Sequence, residues 1–112
     1  MPVSRPAASA VELVTNDRLT IVRRGYPDGA PQWLSTTDHP VTALDTDGDT
    51  VFAALTSGEV VALDAAGGTL RWRTRLTVDG IPTVALSLTV AESGHLLLGT
   101  VDGRILVADR QL

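Results

Sequence analysis

The chain reads VTALDTDGDTVFAALTSGEVVALD at residues 41–64 and LSLTVAESGHLLLGTVDGRILVAD at residues 86–109, and this repeated stretch decides its fold. The two copies align without a gap, so equivalent residues differ by 45 in number, as Val41 and Leu86 do. In both copies, short runs of Val, Leu, Ala and Thr are separated by Gly and Asp. That pattern is typical of β-strands joined by tight turns.

A weaker copy precedes these two. It reads VELVTNDRLTIVRR at residues 11–24 and leads to a Trp33 that stands opposite Trp72. In all three copies the middle two strands are joined by residues that tolerate positive φ, at Asn16-Asp17, Ser57-Gly58 and Asp102-Gly103. A unit of about 40 to 50 residues with four short strands is the signature of a propeller blade.

The repeats predict an all-β fold, a partial β-propeller of about two and a half four-stranded antiparallel blades. Residues 10–112 would form this domain, behind a flexible leader at residues 1–9 that is rich in Pro, Ala and Ser. Blade 1 covers about 10–37, blade 2 about 41–77 and blade 3 about 83–109. The predicted strands are 10–15, 18–24, 31–37, 41–45, 50–55, 59–64, 69–77, 83–90, 95–100 and 103–109.

Composition excludes several classes of function. A net charge of -4 over 112 residues disfavours binding to nucleic acid or to anionic membranes. The absence of cysteine removes disulfides, thiolate metal sites and cysteine nucleophiles. The first ten residues hold no apolar run of the kind that forms a signal-peptide core, and no segment is long enough to span a membrane, so we expect a soluble, cytoplasmic protein.

One run carries a family resemblance. Residues 62–72 read ALDAAGGTLRW, and Ala62, Asp64, Gly68 and Trp72 fit the A-x-D-x-x-x-G-x-x-x-W motif. The run therefore resembles the pyrroloquinoline-quinone-like repeat, which WD-repeat propellers imitate in part. The resemblance implies that the tryptophan packs between neighbouring blades while the aspartate and glycine shape the turn before it.

The other units keep less of the motif. The first retains Gly29 and Trp33 but has Gly25 where the aspartate belongs, followed by a Tyr26-Pro27-Asp28 turn. The third reaches Asp109 with no later glycine or tryptophan of the motif. Quinone-dependent members of the family close a whole propeller around the cofactor and a calcium ion. Since most of the blades are lacking here, the resemblance implies no quinone or other cofactor for this chain alone.

The acidic run Asp45-Thr46-Asp47-Gly48-Asp49 has two interpretations. Alternating carboxylates around a glycine resemble a calcium-binding loop. Aspartate and glycine are also favoured in turns for backbone reasons, and no glutamate follows at the closing position of an EF-hand. The turn is the favoured interpretation, and calcium binding stays open.

Arg71, Arg73 and Arg75 alternate with Trp72 and Thr74, so strand pleating places the three guanidinium groups on one face. Such a row is either an interaction surface for an anionic partner or a set of charges that keeps an outer strand soluble. We expect the second and keep the first as a possible interaction surface.

Neither histidine points to catalysis or to a metal site. His39 precedes Pro40 in a loop and His95 begins a strand, and neither belongs to an H-x-H pair or lies beside a serine-nucleophile motif. Trp33 and Trp72 suit packing between blades better than a sugar-binding platform, because they occupy equivalent repeat positions.

We therefore predict a non-catalytic binding or scaffold module, completed by self-association or by a protein partner that carries the remaining blades. Incomplete sheets leave faces exposed that another sheet has to cover. Two alternatives are a portion of a larger quinone-type oxidoreductase or ligand-binding propeller, inactive alone, and a compact open sandwich that acts as a monomeric interaction domain.

Overall fold

A computed structural model describes residues 11–16, 19–25 and 31–109, apart from the side chains of residues 11–16, 24, 25 and 31. The predicted leader at residues 1–9 lies outside the described residues, as do Gly29 and the Tyr26-Pro27-Asp28 turn. Every regular element in the described ranges is a β-strand.

Three antiparallel sheets account for ten of the strands. The first sheet contains β1 (Val11–Asn16), β2 (Thr20–Gly25) and β3 (Pro31–Thr36). The second contains β4 (Val41–Thr46), β5 (Thr50–Leu55), β6 (Glu59–Asp64) and β7 (Leu70–Arg75). The third contains β10 (Ala85–Val90), β11 (His95–Thr100) and β12 (Ile105–Asp109). In each sheet the strands lie side by side in chain order.

The turns inside the sheets have the geometry that their sequences predict. Gly58 and Gly103 have φ values of 90° and 87°, so the Ser57-Gly58 and Asp102-Gly103 connections both use the left-handed region. A side chain at Gly58 would also strike the carbonyl oxygen of Thr83, 2.7 Å from its Cβ position. Half of the predicted Asn16-Asp17 turn, Asp17, lies outside the described residues.

A short hairpin was missed by the sequence prediction. The predicted strand 69–77 ends at Arg75, and β8 (Thr77–Val78) then pairs with β9 (Ile81–Pro82). Asp79 and Gly80 between them have φ values of 54° and 80°, the pair of positive angles that a two-residue hairpin turn requires. The chain therefore turns back through this hairpin between the second and third sheets.

The sheets stack face to face, with one apolar layer in each gap. The layer between the first and second sheets is built around Ile21, Val51, Ala53, Leu55 and Leu63. The layer between the second and third sheets is built around Phe52, Val60, Leu88, Leu96 and Leu98. The second sheet is thus apolar on both faces, and its strand β5 is buried along its whole length.

Two hydrogen bonds join the first strands of the second and third sheets, β4 and β10. The Thr42 hydroxyl donates to the carbonyl oxygen of Ala85 at 2.7 Å. The backbone N–H of Val90 donates to Asp45 Oδ2 at 2.8 Å. These bonds fix the register of β10 on β4, so the sheets pack in one defined arrangement.

Candidate interaction surface

The third sheet has one covered face and one open face. Leu96 and Leu98 of β11 point into the layer shared with the second sheet and are fully buried. The alternate residues of the same sheet point away from it, and cross-strand pairing joins Leu97 to Val107 and Gly99 to Ile105. These four residues define what we call the open face.

In the preceding repeat, the equivalent face is buried in an interface. Residues 45 positions earlier than Leu97, Ile105 and Val107 are Phe52, Val60 and Ala62. In the second sheet these three are 1%, 1% and 0% exposed, because the third sheet covers them. Their counterparts on the open face are 37%, 76% and 65% exposed. A surface with the composition of a blade interface is therefore open to solvent.

A second feature, which we call the rim ion cluster, joins Asp38, Glu59 and Arg73. Arg73 donates two hydrogen bonds to Glu59, from Nε to Oε2 at 2.8 Å and from Nη2 to Oε1 at 2.5 Å. The same Nη2 lies 2.8 Å from Asp38 Oδ2 in the connection from β3 to β4. The cluster therefore links β6 and β7 of the second sheet to the segment that connects β3 to β4.

The rim ion cluster shifts the pKa values of its members. Hydrogen bonding to the Arg73 guanidinium lowers the pKa of the Glu59 carboxyl to about 2. It also lowers the pKa of Asp38, with a smaller contribution from His39, whose Nδ1 lies 3.2 Å from Asp38 Oδ1. The two carboxylates in turn raise the pKa of Arg73. All three groups are held in their charged forms.

The rim ion cluster borders a cleft between the first and second sheets. The cleft has a volume of about 220 Å³. Leu55, Val61 and Leu63 form its apolar floor, and Thr37, Asp38 and Arg73 lie among the polar residues around it.

The other two arginines of the row have different contacts. Arg71 donates to Thr50 Oγ1 at 2.6 Å and to Asp64 Oδ1 at 2.9 Å. Arg75 donates to the carbonyl oxygen of Ser57 at 2.8 Å. Arg71 and Arg73 therefore already bind carboxylates of their own chain, and the use of this row as an interaction surface stays a prediction.

Asp38, His39 and Glu59 are also the one trio of metal-ligating side chains that the described ranges bring together, with ligand atoms within 4.8 Å of one another. Arg73 binds both of its carboxylates, so a cation would have to compete with a guanidinium already in place.

The Asp45–Asp49 turn uses its carboxylates on the backbone. Asp47 Oδ1 accepts hydrogen bonds from the N–H groups of Asp49 and Thr50 at 2.9 and 2.8 Å, which is an Asx-turn arrangement. Asp45 Oδ1 accepts from Thr46 N at 2.8 Å, and its Oδ2 binds the third sheet. Calcium binding was the less favoured interpretation of this run, and it stays untested.

Both histidines lie at the surface in short polar contacts. His39 contacts Asp38, as described above, and His95 Nδ1 lies 3.1 Å from Ser93 Oγ in the turn before β11.

The repeat-motif residues of the second unit lie in β6, in the turn after it and in β7. Ala62 is buried, and Asp64 accepts from Arg71 through its side chain and from the Gly68 N–H, at 2.7 Å, through its carbonyl. Trp72 lies with its ring centroid 6.0 Å from that of Phe52, at the layer between the second and third sheets. The motif glycine of the first unit, Gly29, is outside the described residues.

Trp33 crosses from the first sheet to the turn of the second. Its Nε1 donates to the Ala65 carbonyl oxygen at 2.7 Å, and the same oxygen accepts from Arg23. A Cβ on Gly68 would lie 2.6 Å from the indole ring. Trp33 thus packs on the turn between β6 and β7, which contains the motif residue Gly68.

Sequence reasoning did not find the rim ion cluster. The pairing of β6 with β7 places Glu59 opposite Arg75 and Val61 opposite Arg73, so Glu59 and Arg73 are diagonal neighbours. The contact between Glu59 and Arg73 can be predicted once the register of β6 on β7 is known. Asp38 belongs to a loop with no periodic pattern, and nothing in the sequence signals its approach.

Stacked antiparallel sheets of this kind define an all-β, partial β-propeller, which confirms the predicted fold class. The chain belongs to the family described as outer membrane protein assembly factor BamB, whose model matches residues 15–111. The resemblance to pyrroloquinoline-quinone-like propeller repeats is thereby confirmed. No curated protein sequence gives a significant match.

Solved structures share the fold at low sequence identity. BamB from Moraxella catarrhalis superposes with a TM-score of 0.70 and 20% identity, covering 96% of this chain and 30% of that one. The computationally designed Ika8 protein gives 0.73 and 15%, covering 90% and 30%. The designed Ika4 protein gives 0.67 and 15%, covering 87% and 58%. This chain thus spans under a third of the BamB it resembles, and the likeness establishes the fold alone.

A membrane-spanning helix is not found within the described residues.

Proposed function

We propose that the chain is a non-catalytic binding or scaffold module that acts through protein–protein contacts, either with a second copy or with a protein partner. The open face carries this proposal, since its aliphatic side chains stand where the preceding repeat has a buried interface. Solvent-exposed aliphatic residues gathered on one sheet face mark an interaction site.

The comparisons support the same class of function. Propeller repeats of the BamB type are typically protein-interaction modules. The family is described as an assembly factor, which names a role in association rather than a reaction. We extend that role to this chain only as a proposal, because it covers 30% of the similar BamB structure.

That coverage favours a second candidate, in which the chain is a portion of a larger ligand-binding propeller and is inactive alone. In that case the open face packs against a further blade of the same polypeptide. The flanking coding sequence distinguishes the two, since blade-like repeats on either side would favour the second candidate.

The molar mass of the purified chain across a dilution series tests self-association. A mass above the 11.8 kDa of the monomer supports association between copies. A mass of 11.8 kDa at every concentration contradicts it. Cell fractionation would test the expected cytoplasmic location separately.

A further inference from the structure

We infer that Asp79, in the turn between β8 and β9, is a modification site at which the chain converts spontaneously to isoaspartate through a succinimide formed with Gly80. The inference goes beyond the proposed function, since it concerns a chemical change in the chain itself and needs no partner. It is carried by a comparison between two copies of one tetrapeptide that the fold holds differently.

The tetrapeptide Thr-Val-Asp-Gly occurs at residues 77–80 and again at residues 100–103. In both copies the aspartate and the glycine are exposed to solvent. Glycine after aspartate favours succinimide formation, because it has no side chain to hinder the approach of its amide nitrogen to the carboxyl carbon. Since the local sequences match, the folded structure decides which aspartate reacts.

The reaction needs only the chain and water. The amide nitrogen of Gly80 bonds to the side-chain carboxyl carbon of Asp79, and the bond from that carbon to its hydroxyl breaks. The hydroxyl leaves with the amide proton as water. A water molecule then opens the ring, restoring aspartate if it attacks the side-chain carbonyl and forming isoaspartate if it attacks the backbone carbonyl.

The copy at residues 100–103 is held in place at both reacting groups. The Thr100 hydroxyl donates to Asp102 Oδ1, and Arg104 Nε donates to Oδ2 at 3.1 Å. These hydrogen bonds lower the pKa of Asp102, so the neutral carboxyl from which water leaves is scarcer. The N–H of Gly103 donates to the carbonyl oxygen of Thr100 at 3.0 Å, which fixes the attacking nitrogen.

The copy at residues 77–80 has no such restraints. Within the described parts of the chain, the Asp79 carboxylate accepts no hydrogen bond or ion pair, and the Gly80 N–H donates to no acceptor. Nothing lies within 4 Å of a Cβ placed on Gly80, so the space around this turn is open. Both reacting groups are therefore available.

A third aspartate–glycine pair, Asp47-Gly48, is also restrained. Asp47 Oδ1 accepts from two backbone N–H groups, as described above, and the N–H of Gly48 donates to Thr46 Oγ1 at 3.1 Å. The fourth pair, Asp28-Gly29, lies outside the described residues. Among the three described pairs, Asp79-Gly80 is thus the one with both groups free.

Opening of the hairpin brings the two groups together. Asp79 and Gly80 have φ values of 54° and 80° in the closed turn, and the peptide between them has to rotate before its nitrogen reaches the carboxyl carbon. Two residue pairs join β8 to β9, and so small a hairpin is marginally stable in water. Ile81 is 68% exposed, so little apolar burial opposes the opening. The β11–β12 turn instead closes a sheet with buried leucines in β11.

The experiment follows both tetrapeptides in one molecule. The folded chain is incubated at mildly acidic pH in water enriched in oxygen-18, so that each ring opening inserts one heavy oxygen, and it is then digested with trypsin in ordinary water. Cleavage after Arg75 and Arg104 leaves both aspartates in the peptide 76–104. Electron-transfer fragmentation assigns the heavy oxygen and the isoaspartate to Asp79 or Asp102.

We expect Asp79 to react about tenfold or more faster than Asp102 in the folded chain, because its turn opens more readily and its groups are free. The control is the same incubation in concentrated urea, where the two aspartates should react at similar rates. Equal rates in the folded chain overturn the inference. A preference for Asp79 that persists unchanged in urea also overturns it, since the sequence and not the fold would then select the site.

A cross-strand disulfide tests the role of the opening. Thr77 pairs with Pro82, which has no N–H, so the two face each other as the closer, non-hydrogen-bonded kind of pair. The chain has no cysteine, so Thr77→Cys/Pro82→Cys adds the two thiols alone. The oxidised variant should modify Asp79 about tenfold more slowly than the reduced variant, with Asp102 unchanged. Equal rates at Asp79 in the two forms contradict control by hairpin opening.

Discussion

The indole Nε1 of Trp33 donates a 2.7 Å hydrogen bond to the carbonyl oxygen of Ala65, and so joins the first sheet to the turn of the second. The bond spans 32 residues of sequence. It satisfies a backbone carbonyl at a buried residue, where an unpaired oxygen would be costly. The stacking of sheets thus depends on directed polar contacts as well as on the aliphatic layers.

Substitution of Trp33 by Phe keeps most of the ring and removes the donor. We expect the free energy of unfolding to fall by about 1 kcal/mol, the usual net value of one hydrogen bond, because Arg23 still donates to the same oxygen. Urea denaturation measures the change. Leu34→Ala, at an exposed position of the same strand, is the control and should shift stability by no more than about 0.5 kcal/mol. Equal losses in the two variants would contradict the role given to the indole N–H.

Gly68→Ala should be more harmful than Gly48→Ala. Both glycines have positive φ, 77° and 101°, so alanine costs about 1 to 2 kcal/mol of backbone strain at either position. A Cβ at Gly68 would also overlap the Trp33 ring, whereas nothing lies within 4 Å of one at Gly48. Thermal or urea unfolding of the pair measures the difference, and Trp33→Ala should reduce it. Equal effects of the two alanines would show that the ring does not lie on Gly68.

Val60 and Ile105 are equivalent in the repeat but differ in burial. Val60→Ala should cost about 2 to 3 kcal/mol because it removes a fully buried side chain from the layer between the second and third sheets. Ile105→Ala should change the stability of the monomer by about 0.5 kcal/mol or less, because its side chain is exposed. Unfolding is measured on dilute protein. A large loss at Ile105 under those conditions would mean that the open face is already covered.

Acid should weaken the rim ion cluster. The pKa of Glu59 is about 2 in the folded chain, below its ordinary value of 4.5, and that of Asp38 is also lowered. Lowered pKa values stabilise the fold above the ordinary values, and this contribution is lost as the pH falls from roughly 5 toward 2. Urea midpoints across that range should therefore fall, and NMR titration of the Glu59 carboxyl should report its low pKa.

Arg73→Gln provides the comparison for this pH effect. Without the guanidinium, the pKa of Glu59 should return toward 4.5 and the acid dependence between pH 5 and 2 should shrink. Arg71→Gln, which removes an arginine that binds Asp64 instead, should leave the Glu59 titration in place. If Glu59 titrates alike in both variants, Arg73 is not the cause of its low pKa.

Much of the fold follows from the sequence because its signals are local and repeated. The shared turns at Gly58 and Gly103 and the short apolar runs on either side of each turn predict strands β5, β6, β11 and β12 to within about two residues. The β8–β9 hairpin was missed because its Asp79-Gly80 turn joins strands of only two residues, too short for a periodic signal.

The candidate site was less predictable because its defining feature is burial. The sequence shows that Phe52 and Leu97 are equivalent, and it predicts that some blade face is exposed, but only the stacking order shows that Phe52 is covered and Leu97 is partly open. Asp38 joins Arg73 across 35 residues through a loop whose path no local rule specifies. Long-range contacts of this kind require the three-dimensional arrangement.

The most direct test of the central claim is light scattering of the native chain beside the variant Ile105→Glu/Val107→Glu, across the same dilution series. We predict a mass above 11.8 kDa for the native chain and 11.8 kDa for the variant, because two carboxylates on the open face oppose its burial. Thr56→Glu/Val101→Glu, which adds the same charge at exposed turns, should associate as the native chain does. A mass that is the same for the native chain and the Ile105→Glu/Val107→Glu variant would contradict self-association through the open face.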